Sequence, residues 1–182
     1  MSLLRPFEAS DIFRFNHVNE TYSVGYYLQY LCTWPDLMNI AESPNHQIMG
    51  YDAELSCNPL CSGMATSFSD GGHVSAITVA PSYRRLSLAR ELMKLIELAS
   101  EQQSCYFVDL FVRNSNSLAI SMYEHFGYSV YQRVVKYYSG GGVGDNLDEE
   151  DAYDMRKALS LDKDRKSVRE NGKEVYVDSP SF

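Results

Sequence analysis

Val79-Ala80-Pro81-Ser82-Tyr83-Arg84-Arg85-Leu86-Ser87-Leu88-Ala89 is the stretch on which the reading of this chain turns. A strand, His73 to Val79, stops at Pro81. A helix, Arg85 to Glu101, follows almost at once, with Leu88, Leu92, Leu95, Ile96 and Ala99 on one face. Two arginines stand at the junction. The first N–H groups of a helix have no intrahelical partner. They lie at the positive end of the helix dipole and attract anions. Guanidinium groups add charge-assisted hydrogen bonds. These residues alone fit two things equally well: a pyrophosphate site, or a plain helix start with two solvated arginines.

Working outward, Cys105 to Val112 is almost continuously apolar, as in a strand buried on both faces. Ser115 to Phe126 has helical spacing, with Leu118, Ala119, Met122, Tyr123 and Phe126 on one side. Tyr128 to Tyr138 and Ala152 to Lys157 read as strands. Upstream, Leu3 to Phe7 reads as a strand and Glu8 to Val18 as a short helix. Tyr22 to Leu31 reads as a helix stopped by Pro35. Leu37 to Glu42 and Gln47 to Leu55 pair across a Ser43-Pro44-Asn45 turn. Ser56 to Gly72 shows no period and reads as an irregular loop. The order is β-α-α-β-β-β-α-β-α-β-β, which predicts an α/β domain with a mixed, largely antiparallel sheet.

Composition narrows the functions. The chain has 182 residues, 45% of them hydrophobic, enough for one ordinary core. Its 16 basic and 24 acidic residues give a net charge of −8, a poor balance for direct nucleic-acid binding. No apolar run reaches the roughly 20 residues that cross a bilayer, so no membrane partner is expected. The start lacks a signal-peptide pattern, which points to the cytoplasm. Cys32, Cys57, Cys61 and Cys105 have no metal-ligand spacing, so no metal is expected and reduced thiols are. Residues 145–154 carry six acids after a Gly-rich stretch and read as an exposed loop. The domain is placed at residues 1–160. Residues 161–182 read as a charged tail, disordered or docked on a partner.

Arg84-Arg85-Leu86-Ser87-Leu88-Ala89 resembles the acetyl-CoA loop of the GCN5-related N-acetyltransferases (GNAT), Gln/Arg-x-x-Gly-x-Gly/Ala. The run from Val108-Asp109 through Arg113-Asn114, Asn116, Ala119, Met122-Tyr123 and Phe126-Gly127-Tyr128 resembles their strand–helix–strand end. Further blocks narrow the likeness: Leu4-Arg5-Pro6-Phe7, Asp11 to Asn16, Glu20-Thr21-Tyr22, Tyr27 to Leu31, Gly72-His73-Val74, Tyr137-Tyr138-Ser139 and Asp151 to Leu159. Together they resemble the NatB-type catalytic subunits within that superfamily.

This resemblance implies a GNAT fold and acetyl transfer from acetyl-CoA to protein N-termini starting Met-Asp, Met-Glu, Met-Asn or Met-Gln. It also implies a large helical-repeat auxiliary subunit and nascent chains at the ribosome as partners. Cofactor contacts fall on Val79, Arg84, Arg85, Ser87, Leu88, Ala89, Asn116 and Tyr123. A backbone N–H near Val79 would meet the developing oxyanion, and Tyr123 the leaving thiolate. Substrate contacts fall on Glu20, Tyr22, His73, Tyr137 and Tyr138, with His73 and Glu20 also candidate bases through water. Ser87 replaces the family glycine, where close backbone approach and positive φ favour glycine, so weakened cofactor binding is expected. Two further readings stay open. One is a GNAT enzyme for lysine or small amines. The other is a divergent, weakly active scaffold.

Overall fold

The computed structural model describes residues 3–15, 22–35, 37–55, 71–138 and 149–178. One eight-stranded sheet organises them. Its strands are β1 (Leu3–Pro6), β2 (Met38–Glu42), β3 (Ile48–Leu55), β4 (Gly71–Val79), β5 (Phe107–Arg113), β6 (Ser129–Tyr138), β7 (Glu150–Ala158) and β8 (Tyr176–Val177). They lie in the order β1-β2-β3-β4-β5-β7-β6-β8. The pairs β4/β5 and β6/β8 are parallel and the others antiparallel. Helices α1 (Val24–Thr33), α2 (Leu88–Gln102) and α3 (Ser117–His125) flank the sheet.

Ser23 caps α1, its hydroxyl accepting from the Tyr26 N–H at 3.3 Å. Tyr27 and Tyr30 are the α1 residues that reach the core, packing with Phe7, Ile12, Phe15 and Tyr51. Leu88, Leu92, Met93 and Ile96 fix α2 to the other face of the sheet. The short helix expected over Glu8–Val18 is a 3-10 helix, Ala9–Arg14. In α3, Ala119, Met122, Tyr123 and Phe126 pack on the core as expected, joined by Ile120, while Leu118 is 81% exposed. A nine-residue helix anchored by Ile120 and Tyr123 has room to turn its first apolar residue outward.

Over 161–178 the charged segment, expected as a disordered or partner-docked tail, lies on the domain's own sheet. Asp162 accepts from the N–H groups of Lys166 and Ser167 at 2.9 and 2.8 Å, closing a tight turn. Gly172 sits so close to β6 that a Cβ there would lie 1.8 Å from the Val130 carbonyl oxygen. β8 then adds in parallel to β6, with the Arg133 N–H donating to the Val175 carbonyl at 2.8 Å. The cysteine reading also changes. Cys32 is free and exposed, but buried Cys105 is disulfide-bonded. The irregular loop read over Ser56–Gly72 falls outside the described residues up to 70, as does the Gly-rich and acidic run up to 148.

Candidate active site

β4 and β5 pair only from Gly71↔Phe107 to Val74↔Leu110. β4 runs on to Val79 and β5 to Arg113, so the two strands part and leave a wedge. The cause lies one residue along β4. Ala76 faces Ala53 on β3 and Val74 faces Glu54, so Ser75 is an extra, bulged residue. A bulge bends its strand and sharpens the twist. Here it turns β4 away from β5 where their pairing ends.

Alternation along β4 then decides what the wedge offers. Ala80 donates its N–H to the Met49 carbonyl on β3 at 2.8 Å. Peptide groups alternate along a strand, so the N–H of Val79 points the other way, into the wedge. The Val79 carbonyl accepts from Arg84 Nε at 3.4 Å on that side. This is the donor position expected for an oxyanion.

The junction after β4 is built for an anion. Pro81–Tyr83 makes one 3-10 turn, then Arg85 and Ser87 take left-handed backbone, φ 65° and 61°. Such residues turn successive N–H groups into one concavity. Among the described residues no backbone carbonyl accepts from Arg85, Leu86 or Ser87, and the first α2 bond is Glu91 N–H to Ser87 carbonyl. The N–H groups from Arg85 to Arg90 are therefore open in one run. Arg84 and Arg85 are exposed beside them, Leu88 is buried and Ala89 half-buried. Ser87 holds the left-handed geometry that glycine adopts freely, at a cost of about 1 kcal/mol. Asn116 is the α3 cap, its Oδ1 accepting from the Ala119 N–H at 3.1 Å.

Tyr123 projects from α3 toward the same region and is 7% exposed. Burial pushes its hydroxyl pKa well above the ordinary value, with Tyr138 adding. It is therefore protonated at neutral pH. No hydrogen bond from this hydroxyl to a described residue is formed, and no fully buried side-chain oxygen lacks a partner. The hydroxyl thus reaches open space.

At the other end of the wedge stands a ring cluster. Tyr22 donates to the carbonyl of bulged Ser75 at 3.1 Å and stacks on Tyr26 at 4.1 Å. Opposite, Phe111 stacks on Tyr137 at 4.6 Å and contacts the His73 ring at 5.5 Å. Tyr137 meets Tyr138 edge to face at 5.0 Å, and Tyr138 donates to the Phe111 carbonyl at 3.2 Å. Burial pushes the Tyr138 hydroxyl up to about 12, with Tyr137 adding. Burial also raises Tyr137, with Tyr22, Asp109 and Asp154 adding. His73 Nδ1 lies 3.1 Å from Asp109 Oδ2. Burial opposes a charge on His73, but Asp109, with Asp154 behind it, outweighs that and raises the pKa.

The structure thus gathers Tyr22, His73, Tyr137, Tyr138 and Tyr123 around one wedge, with Val79 in its wall and Arg84–Ala89 at its far end. Glu20 lies outside the described residues. Sequence reasoning missed Ser75, Phe111, Asp109, Asp154 and Arg156. Asp109 had a signal: a lone carboxylate inside the apolar run Cys105 to Val112.

Comparison with known proteins agrees with this geometry. The model of the acetyltransferase (GNAT) family matches residues 14–128. A relative from Arabidopsis thaliana, named N-terminal acetyltransferase B complex catalytic subunit NAA20, is 45% identical over 174 residues, 92% of this chain and 91% of its own. The chain belongs to the NatB catalytic-subunit family of GNAT acetyltransferases. Membership in that NatB family makes it an N-terminal acetyltransferase. The crystal structure of Chaetomium thermophilum Naa20 with a bisubstrate analogue superposes with a TM-score of 0.84 at 36% identity, covering 96% of each chain. The NatB acetyltransferase complex bound to CoA and MES gives 0.71 at 35% identity, covering 86% of this chain and 99% of that one. Among the described residues no group of three or more His, Cys, Asp and Glu side chains is placed to hold a metal.

Proposed function

We propose that this chain acetylates the free α-amine of proteins beginning Met-Asp, Met-Glu, Met-Asn or Met-Gln. It uses acetyl-CoA and works with a large helical-repeat auxiliary subunit, on nascent chains in the cytoplasm. One observation carries the reading. The β4/β5 wedge has an open run of N–H groups and two arginines at one end. At the other it has a ring-lined mouth with a paired histidine.

The residues fit acetyl-CoA. The concavity at Arg85–Arg90, beside Arg84 and Arg85, suits a pyrophosphate. Acetyl-CoA supplies the acyl group as a thioester. The Val79 N–H is preorganised toward the oxygen on which charge develops, the kind of contribution that is often the largest catalytic one. Tyr123 holds its proton and donates it as a hydrogen bond to the leaving sulfur. A thiol ionises near ~8.5, so a thiolate is too weak a base to strip a tyrosine whose pKa is raised. Donation stabilises the thiolate, and solvent completes the proton balance.

The attacking amine needs little help. An α-amine with a pKa of ~7.7–8.0 is roughly a fifth to a third neutral at pH 7.4, whereas a lysine is only about 0.1% neutral. Water that carries the proton to solvent suffices. Tyr22 and Tyr26 offer an apolar stack for the substrate's Met1 side chain. His73, Tyr137 and Tyr138 offer donors for an acidic or amide second side chain.

The test is steady-state turnover of the full chain with its auxiliary subunit. Peptides starting Met-Asp, Met-Glu, Met-Asn, Met-Gln and Met-Leu are compared with one whose only amine is an internal lysine. The first four are expected to lead. A preference for the lysine peptide, or no turnover at all, overturns the reading. Tyr123→Phe removes a preorganised hydrogen-bond donor and is expected to lower kcat by about a hundredfold with little change in KM.

A further inference from the structure

His73 does not stand alone. Its register partner across the parallel β4/β5 pair is Asp109. Asp109 is opposite Arg156 on β7, and Phe111, the next residue on the same face of β5, is opposite Asp154. Arg156 donates to Asp154 through Nε at 3.1 Å and an Nη at 2.9 Å, and Gln132 of β6 adds a third bond at 3.0 Å. The Arg156 guanidinium also covers the Tyr131 ring at 3.7 Å. Among the described residues, the charged groups facing His73 are therefore Asp109 from β5 and Asp154 with Arg156 from β7, while Tyr137 of β6 stays neutral. Above the Asp154 pKa of about 6, two carboxylates and one guanidinium leave one negative charge in excess. All three are buried. A cationic His73 balances them.

We infer that Asp109 is a positioning residue that aims the His73 ring and holds it as a cation, so that a titrating group reads the charge on the substrate's second residue. This rests on the proposal that His73 meets that residue. The chemistry follows from the ring. With Nδ1–H kept on Asp109, Nε2 is a donor in the cation and an acceptor in the neutral ring. A donor suits the carboxylate of Met-Asp or Met-Glu. An acceptor suits the amide N–H of Met-Asn or Met-Gln. The enzyme's choice between acid and amide is thus a function of pH, and Asp109 sets where the change falls. The histidine pKa is raised, so the acid-preferring form persists above ~6.5, the ordinary histidine value.

The experiment reads the ratio of kcat/KM for a Met-Asp peptide to that for a Met-Asn peptide, from pH 6 to 9, in the full complex. Both peptides carry the same α-amine, so its ionisation cancels. In the wild type the ratio is expected to fall about tenfold as pH rises, the difference between a charge-assisted and a neutral hydrogen bond. Asp109→Asn is expected to move that fall to lower pH and to cut the ratio severalfold at pH 7. His73→Gln is expected to make the ratio flat. An Asp109→Asn profile superimposing on the wild type overturns the inference, as does a wild-type ratio that ignores pH. A wild type that treats Met-Leu like Met-Asp and Met-Asn overturns instead the reading beneath it. Should Asp109→Asn lose its fold, Asp109→Glu keeps the test: its titration, followed by NMR of the His73 ring, is expected to stay near the wild type. A collapse to the ordinary histidine value would overturn the inference.

Discussion

Two charge clusters in this molecule use the same residue types to opposite ends. At the β1/β2 edge, Arg5 forks onto Asp11 with two bonds of 2.7 Å and donates to Glu42 at 2.7 Å. Arg14 donates to Asp11 at 2.9 Å and to Glu42 at 3.0 Å. Two guanidinium groups serve two carboxylates. Hydrogen bonds from Arg5 and Arg14 hold Glu42 down at about 2. Burial works against the Asp11 charge, but Arg5 and the Glu8 N–H outweigh it and lower the pKa. Beneath the wedge, Asp154 holds the one guanidinium, that of Arg156, while Asp109 lies against His73. Burial pushes Asp154 up to about 6, against the pull of Arg156. Burial decides the difference for Asp154, with Asp109 adding. At the edge, the cluster ties the 3-10 helix to the sheet. Beneath the wedge, the acids raise the pKa of the histidine beside them.

That contrast can be broken at the residue each cluster depends on. Arg156→Ala strands the buried carboxylate of Asp154 and is expected to cost about 3–5 kcal/mol by chemical denaturation at pH 7. A loss below 1 kcal/mol would mean that Asp154 does not need its cation. Arg5→Ala leaves Arg14 to serve both edge carboxylates, so about 2 kcal/mol is expected. A loss as large as that for Arg156→Ala would erase the distinction.

Glu42→Gln sharpens it with pH and has the smallest expected effect, about 1 kcal/mol at pH 7 once solvent screening is allowed for. The Glu42 pKa is lowered from 4.5 to about 2 by folding. Its stabilisation is present above 4.5 and is lost as pH falls toward 2. Asp154 has the opposite sign. Its pKa rises from 3.8 to about 6, so the folded state loses stability as pH climbs between those values. Denaturation midpoints followed from pH 2.5 to 6.5 are expected to flatten at the acid end in Glu42→Gln.

Much of the wedge was legible in the chain. The strand ending at Val79, the helix face of Leu88, Leu92 and Ile96, and the arginines between them are local patterns, and local periodicity predicts them. The family glycine in place of Ser87 signalled a left-handed residue, and Ser87 has φ 61°. The partnership of His73 with Asp109 spans 36 residues across a parallel pair, which no periodicity reports. The segment after residue 160 was opaque for another reason. It docks through backbone hydrogen bonds, an Asp162 turn and a close-packed Gly172, not through an apolar stripe. Leu118 was misplaced because a period gives a face and not its rotation about a short helix.

The bulge at Ser75 has one more consequence. Val74, Ile77 and Val79 all contact α2-side cores, while Ala76 packs in the α1-side core. Residues 74 and 77 could not share a face in an unbroken strand. Ser75 therefore acts as a phase shift: the chain before it and the chain after it are two strands written in different reading frames. Deleting Ser75 would merge the frames and turn one half inside out, leaving composition unchanged but for one serine.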